Sequence, residues 1–452
     1  MLIRHKNSLA RILLVTGIQL VLLNTALADC AIPSECPKPA QVEELTRNLD
    51  LYHEAMSSAQ YDEAEVLAKR VMEFSILVNG LESIHSAHAL TNLALVQQRQ
   101  KQYDPARLNF EAAIRSIEQV DGPLSSDLIE PLQGLGETAL AINEINGARQ
   151  LFQRAVHISH VNDGPQNPAQ IESLEAIAET YLAAGEVKGS LDILTSIYSL
   201  KARDLGLGNE EFIPALQHYA EWMTRLRLHN RAKTAQRQIL RLQEAHLDDD
   251  DVEMIPTLIA LAITPNNYRK VPWDTRYHGM VTGPDHYLNR AMRIAAAQPE
   301  SEWEIAADTR IAVGDYFTLA GRFSRARYAY TRAWKGMSRQ EDGLIARQEK
   351  LGSPSRLEEP YLPEFYHKQT PIFPPSNTDD FLTGTITAEF DLASSGRTIN
   401  INVVESQPSG LAMIEERLAR ALEDTMHRPR MEDGSMVETS RLTYRYEFYY
   451  QD

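Results

Sequence analysis

The chain has 452 residues, of which 43% are apolar, and a formal net charge of −17 at pH 7. This length accommodates several domains, and the apolar content is ordinary for a folded protein. The acidic balance argues against nucleic acid and anionic lipid as partners, because both require clustered Lys and Arg. A basic protein surface would be attracted instead.

The first 28 residues are predicted to be a secretory signal peptide. Arg4, Lys6 and Arg11 form a basic head, an apolar stretch runs from Ile12 to Leu23, and Ala26-Leu27-Ala28 gives a cleavage site between small residues. The apolar stretch is shorter than the roughly 20 residues that cross a bilayer. Cleavage would therefore export the protein, and an uncleaved anchor is the alternative.

The chain has two cysteines, Cys30 and Cys36, and both lie at the start of the exported part. Disulfides persist in exported proteins, so a small disulfide loop is predicted within residues 29–40. A redox pair or a metal site is the alternative, but no histidine lies nearby to support either.

A period of 42 residues organises the region from residue 41 to residue 345. Glycines and other small residues recur at this interval. The glycines are Gly80, Gly122, Gly164 and Gly206, and the small residues are Ala64, Ala106, Ala148, Ser190 and Ala232. Such a period indicates one supersecondary unit in tandem. Apolar residues at i, i+3, i+4 and i+7 predict two amphipathic helices per unit, with each glycine at a helix end in a positive-φ conformation.

The unit that begins near Ile129 shows how its two helices are predicted to pack. Small residues at Gly136 and Ala148 let the helix backbones approach closely, and Phe152 fills the space beside them. This spacing resembles the tetratricopeptide family, in the longer-period variety of kinesin light chains. The resemblance implies a mainly α fold, an α-α superhelix of about seven units that binds protein partners on its concave face.

Two irregularities interrupt the period. The first unit has Tyr52 where a small residue is expected. After Ala232 an insertion from Thr264 to Gly283 delays the second helix of one unit to about His286–Ala297. A regular unit then closes the array.

The first helix of each unit is expected to line the concave face. Polar positions one turn apart on this helix recur at the 42-residue interval. The predicted partner-binding groove consists of Glu130, Gln133, Glu137, Glu172, Glu175, Glu179, Gln217 and Glu221. Stacked carboxylates repel one another unless a cation binds, so the predicted ligand is a basic peptide or loop. A solvated helix face is the alternative, because helix surfaces favour Glu in any case.

Composition and periodicity change after the repeats. Six prolines between Ser353 and Ser376 predict a semi-extended linker over residues 346–376. Residues 377–452 then predict a small α+β domain of β-β-α-β order. Its predicted elements are strands at Thr385–Leu392 and Ile399–Val403, a helix at Ser409–Met426 and a strand at Leu442–Tyr450.

Glycines, prolines and aromatic residues occur in a defined order in this last region. They are Gly384, Gly396, Pro408-Ser-Gly410, Pro429, Gly434, Tyr446 and Phe448. This order resembles the TonB carboxy-terminal domain over residues 371–452. The resemblance implies that a transporter segment adds to an open sheet edge through main-chain hydrogen bonds. The predicted edge comprises Leu442, Tyr444, Tyr446, Phe448 and Tyr450, and a packed strand face is the alternative for these side chains.

Catalytic motifs and metal ligands are not recognisable in the sequence. His85 and His88 lack a third ligand at a suitable spacing, and the acidic run Asp248–Asp251 lacks the Gly and distal Glu of a calcium loop. There is no G-x-S-x-G motif, P-loop or catalytic cysteine arrangement. We therefore predict a protein that is not an enzyme and has no cofactor.

The predicted function is that of a periplasmic adaptor. Its repeat groove would bind one protein, and its carboxy-terminal domain would dock a second that belongs to the outer-membrane transport system. The alternative is a TonB-family energy transducer, anchored by an uncleaved amino-terminal segment. Against the transducer, the amino terminus has a cleavage site, and a folded solenoid stands where that family has an extended spacer.

Overall fold

The computed structural model describes residues 39–264, 283–372 and 380–451. The predicted signal peptide, the two cysteines and all but the ends of the 264–283 insertion lie outside the described residues. The chain divides into two compact units, Met1–Ile197 and Tyr198–Asp452.

Unit 1 is built from helical hairpins whose bounds follow the 42-residue period. Its helices are α1 (Pro39–Ser57), α2 (Tyr61–Asn79), α3 (Ile84–Arg99), α4 (Tyr103–Asp121), α5 (Ile129–Ala141), α6 (Ile145–Asp163), α7 (Ile171–Ala183) and the first part of α8 (Val187–Leu205). Within unit 1 the helices pack through their apolar stripes, and buried clusters around Leu93, Leu132 and Ile177 join each hairpin to the next.

The periodic glycines end the second helix of their hairpins, as predicted. Gly80, Gly122 and Gly164 have φ angles of +87°, +86° and +89°, and Gly206 has +82°. In unit 1 the amide of each donates a hydrogen bond to the carbonyl four residues earlier. Only glycine adopts this conformation without a steric cost, which explains the strict period.

A second positive-φ position recurs inside the hairpins, in the turn between the two helices. The residues are Ala59 (φ 57°), Lys101 (63°), Asn143 (65°), Gly185 (71°) and Arg227 (58°). They keep the 42-residue interval, but only one of them is glycine. The left-handed conformation is therefore imposed by the hairpin rather than selected by residue type.

Replacing Lys101 with Gly should stabilise the protein. A left-handed conformation costs an L-residue about 1–2 kcal/mol, and the greater freedom of glycine in the unfolded chain returns about 0.4–1 kcal/mol of that. We expect the free energy of unfolding to rise by about 0.5–1 kcal/mol, measured by chemical denaturation. The control Lys69→Gly, in the interior of α2, should lower it by about 1 kcal/mol. Destabilisation by both variants would contradict the prediction.

Glycines on the first helices make room for aromatic rings of the second helices. A Cβ atom at Gly136 would lie 2.7 Å from Cε1 of Phe152, and one at Gly134 would lie 2.3 Å from Cζ of Phe110. Phe152, Phe110 and Ala148 are buried. The predicted packing of small residues against a large aromatic residue is therefore confirmed.

Ion pairs join successive hairpins of unit 1 at the turn ends. Nη2 of Arg107 lies 2.8 Å from Oε1 of Glu144, and one repeat later Nη2 of Arg149 lies 3.1 Å from Oε1 of Glu186. The Arg149 guanidinium also lies 3.9 Å from the centroid of the Tyr181 ring. In both cases an arginine near the start of the second helix of one hairpin pairs with the glutamate immediately before the second helix of the following hairpin.

Unit 2 continues the hairpins and ends in a strand-rich domain. Its helices are α9 (Ile213–Arg225), α10 (His229–His246), α11 (Met254–Ile263), α12 (Pro284–Ala297), α13 (Trp303–Leu319), α14 (Phe323–Met337) and α15 (Gly343–Leu351). Helix α12 is the delayed helix predicted after the insertion. The described residues contain seven helical hairpins, which confirms the predicted helical solenoid. Within those residues, no helix is long and apolar enough to cross a membrane.

The segment predicted to be a linker is folded from residue 346 to residue 372. It contains most of helix α15 and the short strands β1 (Ser355–Arg356), β2 (Phe365–His367) and β3 (Thr370–Ile372). Phe365 and Tyr366 are buried, so the burial of aromatic side chains outweighs the extended preference of the prolines around them. The prediction of a semi-extended linker is wrong for this part.

The carboxy-terminal domain has a five-stranded sheet in the order β3-β2-β9-β4-β5. The long strands are β4 (Leu382–Leu392), β5 (Thr398–Gln407) and β9 (Thr439–Gln451), and helix α16 spans Ala412–Asp424. This helix buries Ile414, Leu418 and Leu422 against one face of the sheet. The predicted β-β-α-β order is therefore correct, with three short strands inserted before β9. They are β6 (His427–Arg428), β7 (Met431–Glu432) and β8 (Ser435–Met436).

Strand β5 is an edge of the sheet and is irregular. Among the described strands it pairs only with β4, and the register shifts at two places along this pair. Asn400 has a φ angle of +53°, and its side chain donates to Asp391 at 2.9 Å. Such bulges bend an edge strand and remove flat hydrogen-bonding surface.

Candidate partner-binding site

The first helices of successive hairpins in unit 1 touch one another directly. The hydrogen bonds that join them are Tyr52 OH to the Asn92 carbonyl (3.2 Å), Gln98 Nε2 to the Gly134 carbonyl (2.9 Å) and Gln133 Nε2 to Ser173 Oγ (2.8 Å). Helices α1, α3, α5 and α7 therefore stand side by side. Residues one repeat apart on these helices occupy equivalent positions on neighbouring elements.

Six of the eight predicted groove residues lie on two of these adjacent helices. They are Glu130, Gln133 and Glu137 on α5 and Glu172, Glu175 and Glu179 on α7. Glu130, Glu137 and Glu172 are exposed, whereas the other three are partly buried. The hydrogen bond from Gln133 to Ser173 shows that this side chain also holds α5 against α7.

The remaining two groove residues belong to unit 2. Gln217 and Glu221 are exposed on α9. The carboxylate surface defined by the structure therefore consists of the five glutamates on α5 and α7, and we call this set the acidic surface of unit 1. Its composition follows directly from the 42-residue period.

His88 occupies on α3 the position that Glu130 has on α5 one repeat later. Its Nε2 atom lies 3.4 Å from Oδ1 of Asp127, a residue at the start of the next hairpin. The hydrogen bond between His88 and Asp127 lowers the pKa of Asp127. The pKa of His85 is lowered mainly by burial and also by the charge of His88. In the parts of the chain that the structure describes, no three His, Cys, Asp or Glu side chains are grouped to hold a metal ion.

The predicted strand-addition edge is partly occupied by the chain itself. Strand β9 lies between β4 and β2, and Tyr450 pairs with Leu382 on one side and with Tyr366 on the other. The prediction of an open edge is therefore wrong at Tyr450. From Leu442 to Phe448, β9 pairs with β4 alone among the described strands.

The other predicted edge side chains lie on the packed face of β9. Tyr446 and Phe448 are buried in the core beneath α16, and Leu442 and Tyr444 pack against that core. The Tyr446 hydroxyl donates to the Pro363 carbonyl and contacts the Tyr366 hydroxyl at 2.9 Å. These side chains hold β9 and the segment before β2 together, so only main-chain groups of β9 could receive an added strand.

A partly buried ion pair joins the carboxy-terminal domain to the last hairpin. Arg428 of β6 donates from Nε to Oδ1 of Asp315 at 2.8 Å and from Nη2 to Oδ2 at 2.5 Å. Asp315 lies on α13, is 8% exposed, and also accepts a hydrogen bond from the Tyr330 hydroxyl at 2.8 Å. The pair could not be predicted from the sequence, because the two residues are 113 positions apart and share no motif.

Residues 86–159, which cover most of α3 and all of α4 to α6 apart from its end, match the family model of the tetratricopeptide repeat. The predicted repeats are therefore confirmed in this region. A search of curated proteins found no match.

Solved structures with similar folds share little sequence with this chain. A kinesin light chain protein with TPR-like repeats from Podosopora anserina has 17% identity over 44% of this chain and 95% of its own, with a TM-score of 0.40. BtubC (BKLC) from P. vanneervenii has 14% identity over 57% and 92%, with a TM-score of 0.35. Aspartyl phosphate phosphatase F from Bacillus subtilis has 13% identity over 68% and 73%, with a TM-score of 0.41.

Proposed function

We propose that this protein is a non-catalytic scaffold that binds a basic segment of a partner protein on the acidic surface of unit 1. The observation that carries the proposal is the direct contact between consecutive first helices, which brings five glutamates onto two adjacent elements. Tetratricopeptide repeats, matched in the same unit, supply the scaffold.

Electrostatics selects the partner. Two of the five glutamates, Glu175 and Glu179, are partly buried, where a nearby charge is screened less than at a fully wet surface. Carboxylates gathered on neighbouring helices attract a Lys- or Arg-rich segment. The net charge of −17 attracts such a partner over longer distances.

The carboxy-terminal domain is the second docking module in this proposal. Its β-β-α-β order supports the resemblance to the TonB carboxy-terminal domain, and the stretch of β9 from Leu442 to Phe448 is where a partner strand would add. An exported adaptor of the outer-membrane transport system would then work in the periplasm. Amino-terminal sequencing of the mature protein tests this: Asp29 as the first residue supports the adaptor, and an intact Met1 supports a membrane-anchored transducer.

Reversing two charges of the acidic surface should abolish partner binding. In the variant Glu137→Lys/Glu179→Lys, the surface loses two carboxylates and gains two ammonium groups that repel a basic ligand. We expect the affinity for a Lys-rich peptide, measured by fluorescence anisotropy, to fall at least about tenfold. The affinity of the unchanged protein should also fall as salt is raised.

The matched control is Glu73→Lys/Asp192→Lys. These exposed residues lie on second helices of the same unit, so the change in net charge is the same. An equal loss of affinity in both variants would show that net charge alone attracts the peptide. Unchanged binding by Glu137→Lys/Glu179→Lys would remove the acidic surface as the binding site.

A further inference from the structure

Among the described residues, no carboxylate pairs with the buried cation of Lys233. It lies on α10, is only 6% exposed, and has no hydrogen bond or ion pair within the described residues. Burial and the neighbouring Arg237 lower its pKa to about 8. An unpaired buried charge destabilises a fold unless another group compensates for it.

The repeat shows which group is missing. Lys233 is the equivalent of Arg107 and Arg149, and each of these pairs with a glutamate 37 residues later. Glu144 and Glu186 each stand immediately before a second helix, and the residue in this position before α12 is Gly283, which has no side chain. Among the described residues, the hairpin therefore keeps a base at Lys233 but has no carboxylate at the paired position.

Other cationic groups surround Lys233. His229 and Arg237 lie one helical turn before and after it, and Arg227 lies in the turn that leads into α10. Burial lowers the pKa of His229, and the charges of Arg227 and Lys233 lower it further. The Nδ1 atom of His229 is buried and has no hydrogen-bond partner in the part of the chain that the structure describes.

The start of α10 adds a further positive contribution. The helix begins at His229, and the preceding residue, Leu228, provides no side-chain cap. The helix dipole favours an anion here. We call Arg227, His229, Lys233 and Arg237 the cationic cluster.

We propose that the cationic cluster binds a carboxylate ligand from outside the chain, which takes the place that Glu144 and Glu186 occupy beside Arg107 and Arg149. The carboxylate comes from a Glu or Asp side chain of a partner, or from a small organic acid. This site is distinct from the acidic surface of unit 1 and has the opposite charge. Binding there compensates the buried ammonium and stabilises the folded chain.

The proposal is tested by calorimetric titration of the full chain with a tetraglutamate peptide and with succinate. Binding of either supports it, and peptide-only binding assigns the carboxylate to a protein partner. Lys233→Met should weaken binding at least about tenfold, whereas Lys233→Arg, which restores the residue type of Arg107 and Arg149, should retain it. The control Arg231→Gln removes one exposed charge from the same helix and should leave binding unchanged.

Three results would overturn the proposal. Equal weakening by Lys233→Met and Arg231→Gln would mean that net charge alone attracts the ligand. Binding of inorganic phosphate without binding of either carboxylate would assign a different ligand class. No detectable binding of peptide or succinate to a chain whose circular dichroism shows it folded would exclude the site. NMR of the methylated Lys233 ammonium is an independent readout, because a bound carboxylate should raise its pKa above about 8.

Discussion

Asp315→Ala should lower the free energy of unfolding by about 3–5 kcal/mol. Asp315 accepts two hydrogen bonds from Arg428 and one from the Tyr330 hydroxyl. Its removal leaves the largely buried guanidinium without a carboxylate, with only the Lys350 carbonyl as acceptor among the described residues. The last hairpin and the carboxy-terminal domain should loosen from each other. Chemical denaturation followed by the fluorescence of Trp334, which packs in the same core as Tyr330, reports the change.

The double variant Asp315→Leu/Arg428→Met is the control. It removes both charges at similar volume and should be close to neutral, because well-packed apolar residues replace a buried ion pair at little cost. A double variant as unstable as Asp315→Ala would show that packing rather than charge holds this junction. If Asp315→Ala lowered the free energy of unfolding by less than about 1 kcal/mol, the pair would contribute no more than a surface ion pair, and the prediction would be wrong.

Phe152→Ala should lower the free energy of unfolding by about 3–5 kcal/mol. The ring is 1% exposed and fills the space left by Gly136, so its removal opens a cavity between two helices that cannot move together. Because the hairpins are stabilised by their nearest neighbours, the loss should concentrate in α5, α6 and α7. Hydrogen exchange of these helices, together with chemical denaturation, measures both the size and the place of the effect.

Two companion variants make this result specific to the cavity. Phe152→Leu removes less volume and should cost clearly less than Phe152→Ala. Gln153→Ala changes the next residue, which is exposed, and should stay within about 0.5 kcal/mol of the original protein. Equal losses in Phe152→Leu and Phe152→Ala would contradict the cavity explanation.

The helical part of the fold was predictable because its packing rule is local and repeats. Gly122 and Gly164 mark helix ends, and Gly136 with Phe152 marks the crossing of a hairpin, so one unit can be superposed on the next. The left-handed turn position was not predictable in this way. Lys101 and Arg227 adopt it although neither residue type favours it. The geometry of the hairpin imposes the left-handed backbone conformation, so the residue type at this position does not indicate it.

The contacts of the carboxy-terminal domain depend on distant residues and were harder to predict. Strand β2 has three residues, too few to show alternation, and Pro363 just before it resembles linker sequence. Its pairing with the end of β9 therefore escaped detection, and with it the occupied edge at Tyr450. The predicted acidic groove residues, in contrast, follow the repeat and lie on the expected first helices. Whether they bind a partner remains a prediction.

The irregular edge at β5 has a consequence for handling the protein at high concentration. The backbone of this edge strand is bent, with Asn400 in a left-handed conformation. A strand from a second molecule would therefore find few main-chain donors and acceptors in register for pairing. Fibril growth from this side is thus discouraged by backbone shape. Val404 is an extra residue in β5, because its neighbours Val403 and Glu405 pair with the consecutive residues Ala388 and Thr387. Deleting Val404 would make the strand more regular and favour its pairing with a second molecule.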